Sequence, residues 1–243
     1  MKDCLVVIPA RHGSTRFPGK VLAQLDGRPI VEWCYRAAIA AEVGPVMVAT
    51  ENDSVRRVVA AFGGECVITS PDCASGTDRV FEAARRTRTP FVINLQGDQP
   101  LIRPETIRKV AGILRDIRKA DIATAVIALN DPSRLANPNV VKAALAGDGR
   151  ALYFSRAPIP FARNGGPIGR FEHLGIYGFR REALERFVSL PPSALEKAES
   201  LEQLRALEAG MAIYAALVED EPVAIDTPED LELARKILRN AAR

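Results

Sequence analysis

Arg11, Arg16 and Lys20 bring three cations, and no acid, into ten residues of one loop: Pro9-Ala10-Arg11-His12-Gly13-Ser14-Thr15-Arg16-Phe17-Pro18-Gly19-Lys20. Small residues there let the backbone approach a ligand. Guanidinium forks, an ammonium point charge and backbone amides together suit a polyphosphate. The loop is neither a Walker A sequence nor a G-x-G-x-x-G fingerprint, so the general nucleotide motifs do not assign it. By spacing alone, a solvated basic loop explains it equally well. Gln96-Gly97-Asp98 places a lone carboxylate after another apolar run. A carboxylate facing a triphosphate repels it unless a cation lies between them, which makes magnesium the natural cofactor. A plain polar turn is the competing reading.

Ile225-Asp226-Thr227-Pro228-Glu229-Asp230 contains a helix start, with Thr227 as N-cap, Pro228 at the first helical position and Asp230 at the third. If Thr227 is the cap, Asp226 is available as a second metal ligand. If Asp226 is itself the cap, it is not, and the segment taken alone leans that way. Ser75-Gly76-Thr77-Asp78-Arg79 is similarly double: Ser75 and Asp78 form a capping pair, yet a helix N-terminus also suits a phosphate or a base. His173 opens a strand and reads as a structural histidine. Glu202-Gln203-Leu204-Arg205 reads as the solvated face of a helix. Arg156 and Arg163 flank a loop rich in Pro and Gly, where anion binding and solubility are both open.

The elements that must position these groups follow from the apolar pattern. Leu5–Ile8, Val46–Ala49, Cys66–Ile68, Phe91–Leu95 and Ile122–Leu129 are short continuous apolar runs. Helical periodicity lies between them, through Ile30 to Ala38, Val55 to Phe62 (with Asp53 as a possible cap), Val80 to Ala84 and Val110 to Ile117. Continuous strands alternating with helices predict an α/β fold: an open, mostly parallel sheet flanked by helices, binding ligands beyond the carboxyl ends of its strands. The second half differs. Val140–Leu145, Gly147-Asp148-Gly149 and Ala151–Phe154 predict a hairpin, His173–Phe179 and Ala212–Val218 strands, Leu195–Ala209 a charged helix and Pro228–Arg239 the closing helix. No linker or repeat separates the halves. The expected anatomy is one domain over residues 1–243, its core at about 1–130 and 220–243, with a β-rich subdomain inserted at about 131–219.

At 243 residues, with 47% hydrophobic and 26% charged side chains, the chain has the make-up of an ordinary globular protein and not of a disordered one. Its net charge of +3 and 6% aromatic content argue against a nucleic-acid partner. Cys4, Cys34, Cys66 and Cys73 have neither C-x-x-C nor zinc-site spacing, which suits free thiols in a reducing compartment. The first apolar run is too short for a signal peptide or membrane span. A soluble, cytoplasmic protein without membrane insertion is expected.

Taken together, the segments resemble the 3-deoxy-manno-octulosonate (Kdo) cytidylyltransferases. The resemblance is carried, in the family's order, by IPARHGSTRFPGK (Ile8 to Lys20), VATEND (Val48 to Asp53), TSPDCASGTDR (Thr69 to Arg79), NLQGDQPLI (Asn94 to Ile102) and NPNVVK (Asn137 to Lys142). It continues through ALYFSRAPIPF (Ala151 to Phe161), HLGIYGF (His173 to Phe179), LEQLRALEAG (Leu201 to Gly210) and DTPEDLE (Asp226 to Glu232). It implies a nucleotide-diphospho-sugar transferase-like fold and a magnesium-dependent reaction, CTP plus Kdo giving CMP-Kdo and pyrophosphate. By the same resemblance, Ala10, Arg11, Arg16, Lys20, Ser75, Gly76, Arg79 and Gln96 bind the nucleotide. Asp98 and Asp226 hold the metal, and with Lys20 form the catalytic set. Gln96, Arg156, His173, Tyr177, Glu202 and Gln203 take the sugar acid. A homodimer is implied, with the second-half subdomain at the subunit contact.

Some positions depart from the family pattern. Gln99 stands where Glu usually follows the Q-G-D triplet, His12-Gly13 replaces Tyr-Ala, Ala224-Ile225 replaces Gly-Val, and the loop from Ala162 to Glu172 is short. None deletes an implied ligand, but Gln99 and the loop bear on which sugar acid is accepted. Sialic acid or an amino-substituted Kdo are the alternative acceptors. A non-catalytic CMP-sugar sensor is the alternative of another class, and it has no need of two metal-binding carboxylates.

Overall fold

The computed structural model describes residues 2–11, 13, 17–163, 169–219 and 223–241. In chain order its elements are β1 (Cys4–Pro9), β2 (Gln24–Leu25), β3 (Arg28–Pro29), α1 (Ile30–Ala41), β4 (Val46–Thr50), α2 (Asp53–Ala61), β5 (Cys66–Ile68), α3 (Gly76–Ala84), β6 (Phe91–Leu95) and α4 (Pro104–Asp116). There follow β7 (Ile122–Ala128), α5 (Pro132–Ala136), β8 (Lys142–Leu145), β9 (Ala151–Ser155), β10 (Phe171–Arg180), α6 (Arg181–Ser189), α7 (Ala194–Glu199), α8 (Gln203–Glu208), β11 (Ile213–Leu217) and α9 (Pro228–Ala241). The chain forms two compact units, Met1–Arg108 with Asp220–Arg243, and Lys109–Glu219.

In the first unit β6, β1, β4 and β5 are parallel neighbours in that order, with Val6 opposite Val46 on one side and Ile93 on the other. Every residue of β1 and β4 is buried. This is why their sequences run apolar without alternation: helices such as α1 and α3 cover the sheet faces, so no side of the strand meets water. The amphipathic α2 is capped by Asn52, whose Oδ1 accepts from the amides of Ser54 at 2.8 Å and Val55 at 3.3 Å. Asp53 is therefore the first helical residue, not the cap. A separate core joins Leu25 and Ile30 to Ile225, Leu231 and Ala234, and so docks α9 and the segment before it onto the β2–β3 ribbon and α1.

In the second unit β7 lies between β11, which is parallel to it, and β10, which is antiparallel with a register shift between Leu174 and Tyr177. The predicted hairpin is β8–β9, and β8 also pairs with β10. The mostly parallel sheet flanked by helices is as expected. β7 pairs along its length with β10 and β11, and all three strands belong to this unit, which begins at Lys109. The charged helix expected over Leu195–Ala209 is broken in two. Ser200 adopts a left-handed φ of 53°, α7 stops there, and Arg205 of α8 turns back to grip Glu196 through two hydrogen bonds of 2.8 and 2.5 Å. Among the described residues, no helix is long and apolar enough to cross a membrane, and all four cysteines are free thiols.

Candidate active site

β1 and β6 are adjacent and run in one direction, so the loops leaving their carboxyl ends start side by side. A Cβ on Gly97 would stand 3.0 Å from the Pro9 carbonyl oxygen and 3.4 Å from Ile8 Cγ2. The two loops approach this closely only because residue 97 lacks a side chain. A third segment arrives from far along the chain: the Ile225 amide donates to the Asp98 carbonyl at 2.9 Å, and the Ile225 side chain is fully buried. That bond and that core set Asp226 beside Asp98.

Lys20, at the head of a 3-10 turn, joins the two carboxylates. Its Nζ donates to Asp98 Oδ2 at 2.6 Å and to Asp226 Oδ1 at 2.8 Å, the three side chains being 13%, 23% and 36% exposed. Burial pulls the Lys20 pKa down, but the Asp98 and Asp226 carboxylates outweigh it and the net shift is upward, so the ammonium stays charged. The start of α9 is capped reciprocally: Asp230 Oδ2 accepts from the amides of Asp226 at 3.0 Å and Thr227 at 2.9 Å, and Thr227 Oγ1 accepts from the Asp230 amide at 3.3 Å. Thr227 is thus the cap, and the Asp226 carboxylate faces Lys20.

A cleft of about 310 Å³ is lined by Arg11, Lys20, Gly76, Gln96, Asp98 and Asp226, among others. Arg11 also reaches the Cys73 carbonyl at 3.2 Å, and Gln96 Nε2 donates to Asn94 Oδ1 at 2.9 Å. Among the described residues, no cluster of three or more His, Cys, Asp or Glu side chains is gathered for a metal. The Asp98–Asp226 pair nevertheless fits magnesium, which commonly takes one or two carboxylates and completes its shell with water and substrate phosphate. The cleft therefore offers anion-binding cations beside two hard oxygen ligands, the groups that phosphoryl transfer needs.

Other implied nucleotide residues are placed differently. Ala10 is buried, its amide bonded to the Ala49 carbonyl at 2.9 Å. Ser75 and Asp78 form a full capping box on α3. Arg79 is 1% exposed; its guanidinium meets Glu51 at 2.9 Å, Thr69 Oγ1 and the Ser70 carbonyl at 3.3 Å. It braces the Thr69–Ser75 loop from behind and does not line the cleft. Arg16 lies outside the described residues.

The remaining implied residues belong to the second unit, which groups them by two short elements. Arg156, just past β9, donates to the carbonyls of Glu199 at 2.7 Å, Pro138 at 2.9 Å and Ser200 at 3.4 Å, and so is fastened to the turn that leads into Glu202 and Gln203. On β10 the His173 ring lies 4.9 Å from Phe154 and 5.3 Å from Tyr177. Burial, and then the Glu202 carboxylate, push the Tyr177 phenol pKa up. The solvated face expected over Glu202–Arg205 is corrected: Gln203 is 5% exposed and Leu204 fully buried. Gln203 Nε2 is buried without a hydrogen-bond partner among the described residues, and such a donor suits a polar ligand.

His173 has a defined protonation state. Thr124 Oγ1 gives its single hydrogen to the Ile176 carbonyl at 2.7 Å, so the His173 Nε2 at 2.9 Å is the donor to it. Burial pushes the imidazole pKa down to about 3. The unfolded chain binds this proton below about pH 6.5 while the folded protein does not, so stability from this group is intact above that pH and falls as the pH drops toward 3. Denaturant midpoints measured at pH 7.5 and 5 are expected to differ less for His173→Asn than for the parent. An equal drop in both proteins would refute the neutral imidazole.

Sequence reasoning missed the parts played by Ile225 and by the close approach at Gly97. It also passed over Lys142, a lone cation inside the apolar run Val140-Val141-Lys142-Ala143-Ala144-Leu145 that is fully buried. That charge within an apolar strand was the available signal.

Comparison with known proteins gives a consistent set of relatives. Residues 5–213 match the family model described as cytidylyltransferase. The 3-deoxy-manno-octulosonate cytidylyltransferase of Elusimicrobium minutum is 51% identical over 99% of this chain and 100% of its own length. A solved structure of CMP:2-keto-3-deoxy-manno-octonic acid synthetase complexed with CTP superimposes with a TM-score of 0.93 at 40% identity, covering 98% of this chain and 99% of the other. The 4-diphosphocytidyl-2C-methyl-D-erythritol synthase of Anaerococcus prevotii shares the fold alone, at a TM-score of 0.66 and 13% identity over 98% of this chain and 99% of that one.

Proposed function

The chain belongs to the cytidylyltransferase family, among the 3-deoxy-manno-octulosonate cytidylyltransferases, and on that footing we propose that it transfers CMP from CTP to 3-deoxy-D-manno-octulosonate with release of pyrophosphate. The observation that carries the reading at the level of residues is the meeting of Lys20, Asp98 and Asp226 in one cleft. The anomeric oxygen of the sugar acid attacks the α-phosphorus, the bond from that phosphorus to the bridging oxygen of pyrophosphate breaks, and the hydroxyl proton passes to solvent water. Arg11 and Lys20, with Arg16 from the same loop, neutralise the triphosphate, and Gln96 sits where base and sugar approach. Arg156 offsets the substrate carboxylate, while Glu202, Gln203 and the neutral His173 orient its hydroxyls. Asp98 and Asp226 hold magnesium, which when bound lowers the pKa of the attacking hydroxyl and draws charge from the phosphate. No covalent enzyme intermediate is required, so the cleft needs no nucleophile of its own.

We assign the protein to the cytoplasm, where CTP is made, and its product to lipopolysaccharide synthesis. A homodimer through the second unit is supported by the exposure there of Phe161 (85%) and Leu152 (50%), apolar side chains that association would cover. The test is pyrophosphate release with CTP, magnesium and a panel of Kdo, amino-substituted Kdo and sialic acid, with UTP and ATP as controls. Kdo with CTP is expected to give the highest kcat/KM. Preference for another acid would replace the substrate, and CTP binding without pyrophosphate release from any acid would replace the enzyme with a sensor.

A further inference from the structure

A fully buried lysine demands an explanation, because desolvating an ammonium is costly unless every proton is bonded. Lys142, the first residue of β8, meets that condition with backbone oxygens. Its Nζ donates to the carbonyls of Asn137 at 2.9 Å, Val140 at 2.6 Å and Arg156. The acceptors come from two different segments, the Asn137–Val140 turn before β8 and the residue that follows β9. Arg156 Nη1 in turn donates to the Pro138 carbonyl, inside the same turn. One ammonium thus gathers both the backbone that carries Arg156 and the backbone on which its guanidinium rests.

We propose that Lys142 is a positioning residue for the sugar acid: its ammonium locks the Asn137–Val140 turn to residue 156 and so fixes the direction in which the Arg156 guanidinium meets the substrate carboxylate. The inference rests on the reading of Arg156 as the carboxylate-binding group. The arrangement has a chemical logic. The carbonyls of Glu199, Pro138 and Ser200 take three of the five guanidinium N–H groups, leaving two for a ligand. Two parallel N–H groups recognise a carboxylate only if their plane is held, since a fork that swings loses its bidentate geometry. Three neutral carbonyls hold Lys142 without a carboxylate in contact, so no acid competes for Arg156 from that side. Glu199 approaches from the other side, but its carboxylate accepts from the Ser155 hydroxyl at 2.6 Å and the Arg156 amide at 2.9 Å and so serves the backbone. Glu172, also near, is held by Arg134 through contacts of 2.6 and 3.1 Å. Burial, and then the Arg156 charge, pull the Lys142 pKa below its ordinary value, while Glu172 and Glu199 oppose them.

The test assays Lys142→Met, Lys142→Gln, Arg156→Ala and the double variant Lys142→Met/Arg156→Ala with CTP and 3-deoxy-D-manno-octulosonate, after circular dichroism has established folding. The KM for the sugar acid is expected to rise about tenfold in Lys142→Met, and less in Lys142→Gln, while the KM for CTP stays within about twofold of the parent. Adding Lys142→Met to Arg156→Ala is expected to change the sugar-acid KM by less than about twofold, because the lysine acts through a guanidinium already gone. Equal rises in both KM values, multiplying effects in the double variant, or loss of fold in both Lys142 variants would each overturn the proposal. An Arg156→Ala enzyme with the parent sugar-acid KM would sink the reading of Arg156, and this inference with it, whatever the Lys142 variants do.

Discussion

Asp98→Asn is expected to fold normally and to lose at least about a thousandfold in kcat, some 4 kcal/mol of transition-state stabilisation. The amide is nearly isosteric with the carboxylate, and its oxygen still accepts from the Lys20 ammonium, which keeps its second partner in Asp226 at 2.8 Å. The backbone contact between the Asp98 carbonyl and the Ile225 amide does not involve the side chain. The melting temperature should therefore move by only a few degrees, on the order of 1 kcal/mol. What disappears is one of the two charged carboxylates in the cleft, and a neutral amide is a poor replacement for a carboxylate as a magnesium ligand. The checks are pyrophosphate release at saturating CTP and sugar acid, and Mn²⁺ binding in the presence of CTP, followed by electron paramagnetic resonance. A variant that retains a tenth of the parent kcat, or binds Mn²⁺ as tightly, would show that Asp98 does not hold the metal.

Lys20→Met is expected to lower kcat/KM for CTP by about a hundredfold or more, with a raised KM as well as a lowered kcat. The lysine donates to both carboxylates, and its charge persists because Asp98 and Asp226 together overcome the cost of burial. Removing it leaves two carboxylates facing an incoming triphosphate with one cation fewer between them. Lys20→Arg is not expected to restore activity: a planar fork does not fit the compact position from which one Nζ reaches both oxygens within 2.8 Å. Steady-state kinetics with varied CTP decides this, and a Lys20→Arg enzyme of near-parent kcat/KM would contradict it.

Much of the fold was legible because burial on both faces leaves a strong mark on a strand. Runs such as Leu5-Val6-Val7-Ile8 have no polar face to alternate, and they turned out to be the central strands of the first unit. The breaks were legible where a residue type dictates backbone, and illegible where partners decide. The left-handed Ser200 that splits α7 from α8 follows from Arg205 returning to Glu196, a contact that no local pattern displays. Asn52 and Asp53 are equally good caps by type, and only the hydrogen bonds to Ser54 and Val55 choose between them.

The chemistry divides in the same way. The amino-acid order alone determined which groups were available: a loop of cations, a carboxylate after Gly97, another before Thr227, and segments matching a family of sugar-acid cytidylyltransferases. It could not decide whether Asp226 capped a helix or served the cleft, since both uses need the same residue at the same place. The folded chain shows Thr227 and Asp230 completing the cap locally, while contacts remote in sequence, Ile225 tied to Asp98 and Lys20 reaching both acids, bring Asp226 to the cleft. Tertiary contacts also turned Arg79 and Lys142 inward, where charge type says nothing about which oxygens will receive it. Local pattern reports how a residue meets water or its own helix. Convergence on one site depends on packing between distant segments, and that information exists only in three dimensions.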